Sequence, residues 1–130
     1  MNQVALALAW AGMVLAAIEL TLRILGLHRF PLFRSGGASV YHMREGQRGA
    51  FRHRSTWIYN ECGMRTDRPF VASPGAVIVL GDSVVDGGLR ISQDEMLARG
   101  IEAAAPVEVF PLACHGWAMR NQIEALAALP

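Results

Sequence analysis

A chain of 130 residues has room for one small domain, and a formal net charge of +1 points by itself to neither an acidic nor a basic partner. Two cysteines without metal-ligand spacing exclude a zinc site and a disulfide scaffold, leaving Cys62 and Cys114 as one bridge or two thiols. The 52% apolar content is not all core, because much of it is gathered at the front of the chain.

Residues 1–27 read as a transmembrane anchor. Val4 to Ile18 carries no charge, and the run continues through Glu19-Leu-Thr-Leu-Arg23 to Leu27, long enough for the ~20 apolar residues a bilayer span requires. Glu19 and Arg23 are four apart, so on a helix they share a face and pair. A cleaved signal peptide would want a basic start and a small-x-small cleavage site, and neither is present. A soluble core helix would show a polar stripe, and none appears before Glu19. An uncleaved single-pass anchor is therefore favoured over both.

Residues 28–72 read as an irregular, Arg-rich connecting arm. Every basic residue of the chain is Arg; Arg29, Arg34, Arg44, Arg48, Arg52 and Arg54 are opposed only by Glu45. A patch for lipid headgroups or nucleic acid competes with a solvated connector. Ser35-Gly36-Gly37 and the lack of helical periodicity favour the connector, and no nucleic-acid partner is expected. Thr56-Trp-Ile-Tyr59 is the one β-prone run, with Trp57 and Tyr59 read as packing residues rather than a sugar platform.

Residues 73–130 form the most regular stretch. After the Ser73-Pro-Gly75 turn, Ala76 to Leu80 is a short apolar run suited to a strand buried on both faces of a parallel sheet. Gly81 to Arg90 is a Gly-punctuated loop. Ser92 with Glu95 makes a capping box and Ile91 with Met96 a hydrophobic staple, predicting a helix from there to Pro106. Val107 to Phe110 is a second strand, Pro111 to Gly116 a loop, and Met119, Ile123 and Leu126 mark a second helix. Strand, helix, strand, helix predicts an α/β fold with helices packed on a parallel sheet.

Ligand sites in open α/β sheets lie beyond the carboxyl ends of strands. Ser83 falls there, with Gly81 allowing a sharp turn and its own N–H facing the same space as its hydroxyl. Gly116 takes the equivalent place after the second strand. This supplies a nucleophile and two oxyanion donors but no base, and a serine hydroxyl needs one. A plain turn, or a phosphate-holding loop without G-x-G-x-x-G or G-K-[ST], is the competing reading. Asp86 reads as a loop residue. His115 is a weak candidate for a local base, and His28, His42 and His53 read as solvated. Trp117 either lines a substrate cleft or caps the second helix.

Val77-Ile-Val-Leu-Gly-Asp-Ser-Val-Val-Asp-Gly87 resembles the first sequence block of the SGNH/GDSL hydrolases. Pro111-Leu-Ala-Cys-His-Gly116 is similar to their second block, usually N-x-G-x-x-G, with Pro111 and Ala113 standing in place of Asn and Gly. Asn60-Glu-Cys-Gly-Met-Arg65 and Glu19-Leu-Thr-Leu-Arg23 resemble membrane-anchored members.

The resemblance implies the front of a three-layer, flavodoxin-like domain. Ser83 would be the nucleophile, Ser83 N–H and Gly116 the oxyanion donors, and Asp82 the brace of the turn. It implies no cofactor and no metal. An acylated glycan, a lipid or a small-molecule ester is the expected substrate, by hydrolysis or acyl transfer. The third block's Asn and the last block's Asp and His, three apart, are expected beyond Pro130. Without them, a non-catalytic, membrane-tethered module for binding or assembly is the alternative. The arginine flank argues for a cytoplasmic domain by the positive-inside rule, whereas the resemblance argues for an extracytoplasmic one, which is preferred.

Overall fold

A computed structural model describes residues 2–36 and 41–130. Gly37 of the expected connector lies outside the described residues. The chain is mixed α/β, with an N-terminal apolar helix and a short parallel sheet.

Helix α1 spans Gln3–Ile24, with the Asn2 side chain accepting from Val4 N–H as its N-cap. None of its residues is buried, and it is long and apolar enough to cross a membrane. Glu19 and Arg23 pair at 2.7 Å across one turn. The helix ends in a Schellman turn: Gly26 adopts φ +66, Leu27 N–H reaches Leu22 O at 2.8 Å and Gly26 N–H reaches Arg23 O at 3.0 Å.

The expected arm is not irregular, although Arg29, Arg34, Arg44, Arg48, Arg52 and Arg54 are all exposed. It holds two antiparallel hairpins, β1 (Phe33–Ser35) with β2 (Tyr41–Met43) and β3 (Arg48–Phe51) with β4 (Ser55–Ile58). The β3–β4 turn is fastened to the end of α1. Arg52 N–H donates to Gly26 O at 2.9 Å, and His53 Nε2 lies 3.2 Å from Ile24 O. Arg52 and His53 hold φ of 51° and 55°, a left-handed conformation costing non-glycine residues on the order of 1–3 kcal/mol each, which persists only where neighbours enforce it.

Strands β5 (Ala76–Gly81) and β6 (Glu108–Ala113) pair in parallel, from Ala76↔Glu108 to Gly81↔Ala113. Thus Pro111 to Ala113 belongs to the strand and not to the expected loop. β6 is buried from Val109 to its end. Its Phe110 and Leu112, with Cys114 just beyond, pack into a core with Met43, Trp57, Tyr59, Met64 and Trp117. Residues of the supposed arm therefore cover one face of the sheet. Gly49 allows this, since a Cβ there would collide with the Trp57 ring. β5 differs from the expectation of a strand buried on both faces: Val77 is 39% exposed, because β6 is its sole neighbour among the described strands.

The helix expected from Ser92 is broken. Gln93–Glu95 is a 3-10 turn, Met96 is extended at ψ 148, and α3 proper runs Leu97–Ala104. Glu95 accepts from Ser92 N–H at 3.1 Å, but the Ser92 hydroxyl lies 3.1 Å from Thr56 Oγ1 and accepts from Thr56 N–H at 3.3 Å. Burial of Met96 and the bonds to β4 outweigh continuation of the helix. Helix α4 runs Met119–Ala127.

Candidate active site

The site is built where the carboxyl ends of β5 and β6 lie side by side. Gly81 and Ala113 are in register, so Ser83 and Gly116 emerge from neighbouring strand ends. Ser83 opens the single-turn helix α2, Ser83–Asp86. Asp82 is its N-cap and accepts from Val84 N–H at 2.9 Å. Ser83 is exposed, and its hydroxyl makes no hydrogen bond among the described residues. As the first residue of a helical turn, its N–H has no intrahelical acceptor.

Gly81 is needed for a reason other than the one expected from sequence. Its φ is not left-handed; instead a Cβ would collide with the Val85 side chain. Around the site the left-handed glycines are Gly87, which ends α2 at φ +73, Gly88 at +61 and Gly116 at +76. A Cβ on Gly116 would lie 2.9 Å from the Tyr41 hydroxyl.

The largest departure from the sequence reading is Asp86. Expected as a loop or helix-approach residue, it closes α2 and is 1% exposed. Its carboxylate accepts from Tyr59 OH at 2.7 Å and lies 2.7 Å from His115 Nε2. The Asp86–His115 contact joins the loop after β6 to α2, and Phe33 meets the imidazole edge-on at 6.4 Å. Tyr41 OH donates to His115 O at 2.7 Å, and Trp117 Nε1 donates to Tyr41 O at 2.8 Å. The first hairpin thus holds the second loop from outside. Trp117 is 5% exposed; it serves this packing and also borders a cleft beside α4.

Asp86 and His115 are 29 residues apart, so spacing alone does not pair them. The available signal was topological: both fall within a few residues of strand ends that parallel pairing brings together.

Burial, then the nearby Asp86 charge, push the Cys114 thiol up to about 12. Burial and the same carboxylate raise the Tyr59 phenol well above its usual range. Cys62 and Cys114 are both free. No group of metal-ligating side chains occurs among the described residues.

Two clefts flank the domain. A cleft of about 800 Å³ lies against the β3–β4 turn and one of about 430 Å³ lies beside Trp117 and α4; neither is lined by Ser83. Comparison of the chain with protein-family models, curated proteins and solved structures gave no match.

Proposed function

We propose that this chain carries the nucleophile and part of the oxyanion hole of a membrane-tethered SGNH/GDSL-type serine ester hydrolase or acyltransferase. In this reading α1 spans the bilayer once and the three-layer domain faces away from the cytoplasm. The observation that carries it is the pairing of an exposed Ser83 with a left-handed, exposed Gly116 at adjacent, in-register strand ends.

The Ser83 hydroxyl attacks the acyl carbonyl carbon, and its proton passes to a base. The carbonyl oxygen gains charge and is met by backbone N–H groups at Ser83 and Gly116. Collapse of the tetrahedral species expels the alcohol, which takes up a proton. Water then releases the acid, or a glycan hydroxyl accepts the acyl group. Asp82 holds the turn so that Ser83 stays exposed.

A non-catalytic binding or assembly module is the second reading. It is favoured by a Ser83 hydroxyl without a basic partner among the described residues, and by a His115 already engaged with Asp86.

A fluorophosphonate probe applied to the protein in membranes separates the two. Labelling lost in Ser83→Ala supports the hydrolase. A folded protein that never labels supports the binding module. Protease accessibility in sealed vesicles tests the orientation.

A further inference from the structure

We propose that the cleft at the end of α1 binds the headgroup of an amine-bearing phospholipid, its phosphate held by Arg52, Arg54 and Arg90 and its ammonium by Asp94 and Glu95. The inference rests on the reading of α1 as a membrane span.

These five side chains line the cleft of about 800 Å³. The three arginines are exposed, and none has a carboxylate within ion-pairing distance among the described residues. Exposed arginines are ordinary when scattered; here they are held in one place. The β3–β4 turn is bonded to Gly26 and Ile24 and keeps Arg52 and His53 left-handed. Ser55 Oγ donates to Arg90 O at 3.0 Å, tying the third arginine to the same turn.

Position sets the depth. The 22 residues of α1 extend for about 33 Å, close to the ~30 Å hydrocarbon thickness of a bilayer. A turn bonded to the last helical carbonyls therefore stands in the headgroup layer, where phosphates are concentrated and arginine is attracted to them.

The two signs of charge give the headgroup. Ser55 ties Arg90 to the β3–β4 turn, and the 3-10 turn carrying Asp94 and Glu95 is bonded to β4 through Ser92 and Gln93. The cleft therefore brings cations and carboxylates together. A phosphoethanolamine headgroup carries the complementary pair, a phosphate and an ammonium. An ammonium offers three N–H donors to the two carboxylates. A glycerol headgroup brings no cation to them, and a choline brings no N–H.

The test is native mass spectrometry of the full chain in detergent, titrated with dioleoyl phosphatidylethanolamine, phosphatidylglycerol or phosphatidylcholine. Retention of phosphatidylethanolamine is expected to exceed that of both others. Arg52→Gln, Arg54→Gln and Arg90→Gln are each expected to weaken it about fivefold. Asp94→Asn with Glu95→Gln is expected to remove the preference over phosphatidylglycerol while leaving phosphate-dependent retention in place. Circular dichroism and tryptophan fluorescence confirm that each variant is folded.

Equal or tighter retention of phosphatidylglycerol would overturn the headgroup assignment. Arginine variants that retain lipid as well as the parent would overturn the site. Displacement of the lipid by millimolar inorganic phosphate would replace it with a free-phosphate site. Carbonate extraction reads the anchor separately: release of the protein from membranes would remove the span and leave the detergent titration to stand on its own.

Discussion

The guanidinium of Arg65 donates to the backbone carbonyl of Asp86 at 2.5 Å, while the carboxylate of Asp86 is taken by Tyr59 and His115. Its two terminal nitrogens also donate to the carbonyls of Gly88, Ile91 and Thr56, while the buried Nε–H has no partner among the described residues. A buried cation thus organises the loop behind Ser83 entirely through main-chain oxygens. Arg65→Ala strands these carbonyls and is expected to cost about 3–5 kcal/mol, as breaking a buried charge network does. Arg65→Lys is not expected to rescue it, since a lysine offers three donors from one point rather than a planar fork. Urea unfolding of the detergent-solubilised protein checks both.

Cys114 predicts an alkaline stability limit. Above about pH 9 the thiol of the unfolded chain ionises, whereas the buried thiol keeps its proton up to about 12. A raised folded pKa gives stability that is complete below pH 9 and lost as pH climbs toward 12. The loss is about 1.4 kcal/mol per pH unit in that window. Tyr59, raised for the same physical reasons, steepens the loss above its ordinary value of 10.0. Cys114→Ala is expected to flatten the curve between pH 9 and 10. A slope unchanged by that substitution would mean another group is responsible.

Gly81→Val and Ser92→Ala are expected to rank in that order of damage. The first drives side-chain atoms into Val85 beneath the Ser83 turn, an overpacking worth about 1–3 kcal/mol. The second removes the hydroxyl that meets Thr56, worth about 0.5–1.5 kcal/mol. Thermal melts give the ranking.

Gly116→Ala combines a left-handed φ of +76 with a collision against Tyr41 OH. On the proposed hydrolase reading, displacing that backbone N–H by such strain is expected to lower kcat about 10²–10³-fold, the usual effect of losing one oxyanion donor. Tyr41→Phe opens the space without touching the main chain, so it is expected to restore part of that loss in the double variant. Steady-state ester turnover reads the comparison.

The strands and helices after residue 73 were legible because their signals are local. Ala76 to Leu80 is apolar and β-branched, and Met119, Ile123 and Leu126 repeat at helical spacing. Ser83, Asp82 and Gly116 could be placed because strand ends are fixed once strands are fixed. The two hairpins were hidden for a physical reason. Their strands are three or four residues long, too short for an alternation to develop. What holds them is distant in sequence: Met43, Trp57 and Tyr59 against Phe110 and Leu112, and Arg65 against the loop after α2. Asp86 was misread for the same reason, since its partners come from residues 59 and 115. Met96 defeated a correct capping signal because its side chain gains more by burial than the backbone gains from another helical turn.

Truncation separates an anchor that merely tethers from one that is part of the domain. A chain beginning at Ile24 keeps the carbonyls that meet Arg52 and His53, whereas one beginning at His28 loses both. The longer version is expected to be the more stable by about 1 kcal/mol or more, the value of a typical buried hydrogen bond. Equal melting temperatures would show that the clasp contributes nothing to the folded state.

That clasp has a mechanical consequence. A helix joined to its domain by a slack linker can lean in the bilayer without disturbing what it carries. Here Arg52 is bonded to Gly26 and His53 lies against Ile24 O, and the same hairpin carries Trp57 into the core. On the proposed reading of α1 as a span, a helix about 33 Å long stands upright in a thick membrane and leans in a thinner one. The clasp would carry that lean into the β3–β4 hairpin, and bilayer thickness would become a variable that this fold can register.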